Sequence, residues 1–446
     1  MTHSSLAGEP LSARSIGIVG GGQLAWMLAR EARKLGVELH VQTPDPTDPA
    51  TREASSVVVG ALDDPESMRA LARRVERISF ENEWVPLDVL RPLEGEGMSF
   101  LPDLTSLEPL LNKRGQRQLL TELNLPTPQW AGMEASQQPP DPLPPGSGQR
   151  ESEFPPESWS GEDSSIAWPP SALVLPAPQG PRLPEGMAFP VMAKLSRGGY
   201  DGKGTRLLAD LAALENHLAS HTPEEWILEE RVSFEMELAQ VVCRDLTGEV
   251  RCFPLVQTHQ RNQVCEWVLF PAPVNHAVEA SARNVSMSLV TSLNYVGVMG
   301  IEFFYGPGGL LVNEVAPRVH NSGHLTLEAS ASNQFAQHVR IVAGLPLAST
   351  EPTVNGALMI NLLGYEPDAG PDAMLAYQQQ RQALASMPGA HVHWYGKCAR
   401  LGRKLGHVTF VLEAEGPEAL EVERARRLRE VRAVWPWPEL AGEEAE

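Results

Sequence analysis

The sequence predicts a multidomain protein of mixed α/β and α+β architecture. A parallel α/β domain comes first, a larger central region follows, and a small β-rich domain closes the chain. Three observations lead there. At 446 residues the chain is long for one hydrophobic core, so two or three domains are expected. Between Ile16 and Asp103, apolar strand runs alternate with helical periodicity, the pattern of a parallel sheet. From Phe189 onward strand patterns dominate, joined in places by glycine-rich turns.

The elements follow in order. Residues 1–14 are polar and lack an apolar run, so they read as a loose tail and not a signal peptide. The N-terminal domain is placed at 15–104, with "IGIV", "VELHVQ" and "RISF" as buried strands and helices after the first and around residues 65–75. Its opening stretch, "SIGIVGGGQLAWMLAR", runs from a strand through Gly20, Gly21 and Gly22 into a helix. Gly20, Gly22 and Ala25 fit G-x-G-x-x-G/A, and the second strand ends near the acidic Asp45. Such a turn points backbone N–H groups and a helix N-terminus at an anion. It equally serves as a glycine turn that lets strand and helix pack closely. An NAD-dependent oxidoreductase rests on these glycines alone.

The central domain is placed at 105–347. The helical stretch "SLEPLLNKRGQRQLLTELNLP" is stopped by Pro126 and Pro128. Residues 134–186 then hold 13 of the chain's 39 prolines, too little apolar surface to offset ordering entropy, so a mobile loop or linker is expected. Phe154, Trp159 and Trp168 leave room there for a docking role. "FPVMAKLSRGGYDGKGTRLL" reads as a hairpin, and "DLAALENHLAS" as a helix. "EWILEERV", "EMELAQVVCRD" and "EVRCFPLVQTHQ" read as strands, and residues 278–293 as a helix. "VGVMGIEFFY" and "LLVNEVAP" form a hairpin about "GPGG". The last domain, 348–446, contains "GALMINLLG", "HVHWYGKCARLGRKLGHVTFVL" and a final helix.

Net charge is −20, which argues against a nucleic-acid or membrane-surface partner but leaves room for an anionic substrate at a local cluster of cations. Cys243, Cys252, Cys265 and Cys398 are widely spaced without a C-x-x-C pair, as expected of a reduced, cytoplasmic protein without structural zinc. No apolar run reaches the length of a membrane span. There is no Gly-x-Ser-x-Gly elbow, HExxH or Walker lysine motif.

Four clusters carry chemistry. Folding the hairpin about residues 306–309 places Glu302 opposite Asn313 or Glu314. Facing carboxylates repel, and magnesium between them suits the pattern, since it takes one or two carboxylates plus phosphate oxygens. The same pattern also fits glutamates on the solvated face of a plain hairpin. In "AKLSRGGYDGKG", Gly198, Gly199, Gly202 and Gly204 surround Asp201 and Lys203, which allows close backbone approach to a polyphosphate. Lys194, inside an apolar run, would reach phosphates as a point charge. "APRVHNSGH" holds Arg318, His320, Asn321, Ser322 and His324; its histidines are expected to be hydrogen-bonded and not metal ligands. "YGKCARLGRKLGH" holds Lys397, Arg400, Arg403, Lys404 and His407, either an anion site or a solvated edge strand.

Taken together, "GIVGGGQLAWML", "SFENE", "NKRGQRQLL", "RGGYDGKG", "ILEERVSFEMEL", "IEFF", "VNEVAPRVHNSGH" and "YGKCARLGRK" resemble, in this order, the N5-carboxyaminoimidazole ribonucleotide synthetases, ATP-grasp ligases of purine biosynthesis. The resemblance implies a Rossmann-like N-terminal domain, a central ATP-grasp domain and a β-rich C-terminal domain. It implies an ATP-dependent ligase in which ATP and bicarbonate give carboxyphosphate, which carboxylates the amine of 5-aminoimidazole ribonucleotide. It further implies a cytoplasmic homodimer whose product passes to the N5-carboxyaminoimidazole ribonucleotide mutase.

Residue by residue, the resemblance places Lys113, Lys194, the loop Gly199, Tyr200, Asp201, Gly202, Lys203, Gly204 and Thr205, and Asn313 with Glu314 on ATP. Glu229, Glu230, Arg231 and Val232 would hold the adenine, and Glu237 the ribose. Glu302 and Glu314 would bind Mg2+. Gln23, Leu24, Glu81, Arg318, Asn321 and Ser322 would line the ribotide. Lys397, Arg403 and Lys404 would bind its phosphate, with Asp201, Lys397 and Arg403 as the catalytic set. Two departures stand out. Gln260 occupies a position where the family pattern has His, and the proline-rich segment is long. Another ATP-grasp ligase, the formate-dependent glycinamide ribonucleotide transformylase, shares the ATP site and stays as an alternative.

Overall fold

The computed structural model describes residues 13–84, 86–133, 183–198, 204–366, 375–414 and 416–439. The expected loop or linker at 134–186 thus lies outside the described residues up to residue 182. The loop residues Gly199, Tyr200, Asp201, Gly202 and Lys203 lie outside them as well. The chain divides into two compact units, the second made of Gln129–Gly199 and Gly204–Arg231.

In the first unit, five parallel strands form one sheet. Its order is Ser56–Val59, Glu38–Thr43, Ser15–Val19, Arg77–Phe80, Ser99–Phe100. The order reverses between Ser15–Val19 and Arg77–Phe80, where the carboxyl ends of adjacent strands leave a crevice in open α/β sheets. The helix Gln23–Leu35 starts at that point. Its buried face, Leu24, Ala25, Leu28 and Ala32, repeats at helical spacing, and Gly36 ends it in the left-handed conformation.

A nine-stranded antiparallel sheet forms the rest of this unit's framework. It runs from Gly309–Ala316 through Gly297–Gly306, Met236–Arg244, Val256–Arg261, Val264–Phe270, Gly356–Leu363 and Lys404–Leu412 to Ala390–Trp394, with Val250–Cys252 alongside Met236–Arg244. The C-terminal strands therefore extend the central sheet through the pairing of Val264–Phe270 with Gly356–Leu363. Helix Gln334–Ala343 packs between the two sheets: Phe335, Val339 and Val342 share a core with Ile16, Ile18, Leu28 and Val241.

Three differences from the sequence expectations have physical causes. "EVRCFPLVQTHQ" forms two strands and not one, Val250–Cys252 and Val256–Arg261, interrupted at Pro254, which cannot donate to a ladder. The strand Val264–Phe270 gave no alternating signal because all seven residues are buried between neighbours. The cations of "YGKCARLGRK" sit largely on the connection between Ala390–Trp394 and Lys404–Leu412, so the edge-strand alternative does not hold.

The second unit is a four-stranded antiparallel sheet, Trp130–Gly132, Trp226–Glu230, Val191–Leu195, Thr205–Leu208. Helix Leu211–Ser220 covers it, capped by the Asp210 side chain. Leu214 joins Val191, Ala193, Trp226 and Leu228 in its core.

Candidate active site

The glycine turn is already filled by an acid of the chain. Glu81, at the end of the neighbouring strand, accepts hydrogen bonds from the N–H groups of Gly22 at 2.6 Å and Leu24 at 3.1 Å. A Cβ on Gly22 would stand 2.3 Å from Glu81 Oε1, and one on Gly20, at φ +108°, 2.7 Å from Oε2. The glycines make room for this carboxylate, and the anion at the helix N-terminus is internal. That removes the basis for an NAD-dependent oxidoreductase. Burial raises the pKa of Glu81, opposed by these N–H donors and by Lys397. Lys397 in turn is lowered to about 8, first by burial and then by Arg403, with Glu81 and Asp48 opposing and Lys404 adding to the depression. Lys397, Arg403, Lys404 and Glu81 thus form one electrostatic cluster at the crevice. Gln23 and Leu24 open the helix beside it.

Arg318 is held by Glu83, an acid 235 positions away that no local pattern ties to it. Its guanidinium donates to Glu83 through Nε at 2.5 Å and Nη2 at 3.3 Å. Burial works against ionisation of both partners, but their mutual attraction raises Arg318 and lowers Glu83. Asn321 exchanges two amide hydrogen bonds with the buried Asn361, at 3.1 and 2.8 Å. Asn361 lies on a strand that carried no chemical signal in sequence. His320 bonds Ser322 Oγ at 2.9 Å and approaches Glu302 at 3.4 Å. His324 bonds Gln334. Burial, first of all, lowers both imidazoles, which favours their neutral forms, and both are hydrogen-bonded.

The hairpin register pairs Glu302 with Glu314. Glu302 is one quarter exposed and bears a raised pKa, caused by burial, then by Glu314 and Glu237. Glu237 is raised to about 7 by burial, against a hydrogen bond from the backbone of Gln260. Lys113 Nζ lies 3.1 Å from Glu314. No group of three or more His, Cys, Asp or Glu among the described residues is arranged as a metal cage. A facing carboxylate pair, hard in donor type, nonetheless suits a magnesium ion whose other ligands are phosphate oxygens.

In the second unit Lys194 pairs with Glu229 at 2.7 Å, both nearly buried. Thr205 stands opposite Lys194 in the ladder, Gly204 has positive φ, and Glu230 accepts from the N–H of Gln129. Arg231 ends this unit, and Val232 begins the next segment of the first.

A family match gives the class: an ATP-grasp enzyme. Residues 163–335 match the model of the ATP-grasp domain. Residues 13–109 match the ribonucleotide synthetase preATP-grasp domain, and 357–419 the phosphoribosylaminoimidazole carboxylase C-terminal domain. The chain is 41% identical over 96% of its length to the N5-carboxyaminoimidazole ribonucleotide synthase of Synechococcus elongatus, covering 96% of that protein. The synthase of Synechocystis sp. is 39% identical, with 94% of this chain and 98% of that one covered. Among solved structures, the synthetase of Thermus thermophilus superposes with a TM-score of 0.73 at 30% identity, over 96% of this chain and 100% of that one. The Aspergillus clavatus enzyme, solved with ADP and 5-aminoimidazole ribonucleotide, gives 0.74 at 26%, over 95% and 98%. The chain belongs to the N5-carboxyaminoimidazole ribonucleotide synthase family.

Proposed function

We propose that this ATP-dependent ligase carboxylates 5-aminoimidazole ribonucleotide at its exocyclic amine, using bicarbonate and ATP, in purine biosynthesis. A bicarbonate oxygen attacks the γ-phosphorus, releasing ADP and forming carboxyphosphate. The amine then attacks the carboxyl carbon, phosphate leaves, and the amine loses a proton. The observation that carries this reading is a carboxylate pair and a Glu81–Lys397–Arg403–Lys404 cluster within one unit, with Lys404 acting on both Lys397 and Glu302. The first suits a metal–polyphosphate, the second a phosphorylated substrate.

Phosphoryl transfer needs positioning and charge neutralisation more than covalent help. Lys113, Lys194, Gly204, Thr205, Glu229, Glu230, Arg231, Val232, Glu237 and Asn313 keep the ATP roles that the resemblance implies. Gly199, Tyr200, Asp201, Gly202 and Lys203, outside the described residues, keep their roles as phosphate cover, with Asp201 orienting bicarbonate or taking a proton from the amine. Glu302 and Glu314 would hold Mg2+, which when bound neutralises charge on the transferring phosphoryl group. Gln23, Leu24, Glu81, Asn321 and Ser322 line the ribotide. Lys397, Arg403 and Lys404 hold its phosphate, and Arg318, tied to Glu83, orders the wall between. A homodimer in the cytoplasm that hands its product to the mutase completes the reading. No helix among the described residues is long and apolar enough to cross a membrane.

The test is ADP release with ATP, magnesium, bicarbonate and ribotide, omitting each in turn and replacing bicarbonate by formate. Full turnover only with all four, and none with formate, is expected. Turnover with formate and glycinamide ribonucleotide would instead point to the transformylase.

A further inference from the structure

Helix Lys113–Glu122 carries Lys113, but two other side chains on it reach further. Gln116 and Arg117 are 7% and 2% exposed, and both bond the backbone of strand Gly309–Ala316 where that strand is irregular. The ladder pairs Glu302 with Glu314 and then Phe303 with Val312, leaving Asn313 as an extra residue. A bulge of this kind interrupts the ladder and re-aims side chains, and its carbonyls need other donors. Arg117 supplies them, Nη1 to Val312 O at 3.1 Å and Nη2 to Asn313 O at 2.6 Å. Gln116 takes the other side. Its Oε1 accepts from Val315 N–H at 3.1 Å, and its Nε2 donates to the carbonyls of Val315 and Leu110, both at 2.9 Å.

Peptide groups on both sides of Glu314 are therefore gripped by adjacent side chains of one helix. That helix also sets Lys113 against the Glu314 carboxylate. Attachment of the helix to the core does not explain these bonds, because Leu119, Leu120 and Leu123 already pack it into the apolar cluster. We infer that Gln116 and Arg117 are positioning residues that fix the bulge at Asn313 and so aim Glu314 at Glu302. This rests on the reading that Glu302 and Glu314 hold the divalent ion.

The experiment uses the full chain with ADP and measures Mn2+ binding by the EPR signal of the free ion. Amide exchange over residues 309–316, thermal unfolding and ribotide KM are measured alongside. Arg117→Lys keeps the charge but loses the two-pronged fork. Gln116→Leu removes the reciprocal pair. Each is expected to weaken Mn2+ binding about tenfold and speed exchange over 309–316, with ribotide KM within about twofold and unfolding still cooperative. Wild-type Mn2+ affinity in a folded Arg117→Lys variant overturns the inference. So does an equal loss of Mn2+ affinity and ribotide KM, which marks general loosening. If Gln116→Leu does not fold, Arg117→Lys decides alone. Glu314→Gln is the control: its loss of Mn2+ binding supports the metal reading, and wild-type binding there overturns that reading and the inference with it.

Discussion

The carboxylate of Glu81 lies 2.6 Å from the backbone nitrogen of Gly22, in the place where a dinucleotide-binding turn would receive a phosphate. Replacing Gly22 with Ala puts a Cβ 2.3 Å from Glu81 Oε1, and since Glu81 is buried the chain must shift. Such overpacking costs about 1–3 kcal/mol, to be read from urea unfolding, and ribotide KM should rise with it. Wild-type stability in Gly22→Ala, or NADH binding by fluorescence, would contradict this picture.

Glu302→Gln and Glu314→Gln are expected to lower turnover by orders of magnitude while leaving the fold intact. Without metal, Glu302→Gln should unfold no earlier than wild type, because it removes a like-charge contact. The pKa values of Glu302 and Glu237 are both raised. Stability from their protonated forms is therefore complete below the ordinary carboxylate value, near 4.5, and is lost as pH rises through about 7. The midpoint temperature of the metal-free protein should fall across that window, and Mg2+ with ADP should offset the fall above pH 7. A flat profile would contradict the raised pKa values of Glu302 and Glu237.

Lys194→Met leaves the Glu229 carboxylate buried without its 2.7 Å partner. Breaking such a pair costs about 3–5 kcal/mol. The double variant Lys194→Met with Glu229→Leu should regain much of that stability and none of the activity. Activity returning with stability would make Lys194 a structural residue only.

Lys397 ionises at about 8. In the role proposed for it on the ribotide phosphate, its positive charge is present below that pH and lost above it. The kcat/KM for ribotide, which reports the free enzyme, should fall above pH 8. Lys397→Arg should move the break upward, and Lys397→Ala should raise ribotide KM far more than ATP KM. The opposite split would mean the two substrates are placed the wrong way round.

Much of this was legible in sequence because local rules sufficed. The turn "GPGG" narrows the partner of Glu302 to Asn313 or Glu314, and the bulge at Asn313, which no local rule marks, decides for Glu314. The alternation of strands and helices gave the parallel sheet. What stayed hidden depends on long-range pairing. Glu81 filling the Gly22 turn, Glu83 holding Arg318 and Asn361 meeting Asn321 join residues 40 to 235 positions apart. No periodicity encodes such contacts. The strand Val264–Phe270 was hidden for the opposite reason: uniform burial erases the alternation that marks a strand.

Carboxyphosphate is the centre of the proposed chemistry, and oxygen transfer tests it directly. Bicarbonate labelled with 18O should give inorganic phosphate carrying one labelled oxygen, because its bridging oxygen leaves with the phosphate when the amine takes the carboxyl carbon. Labelled phosphate that forms only with ATP, with 13C from bicarbonate found on the ribotide amine, is the expected result. Unlabelled phosphate beside a carboxylated ribotide would contradict it.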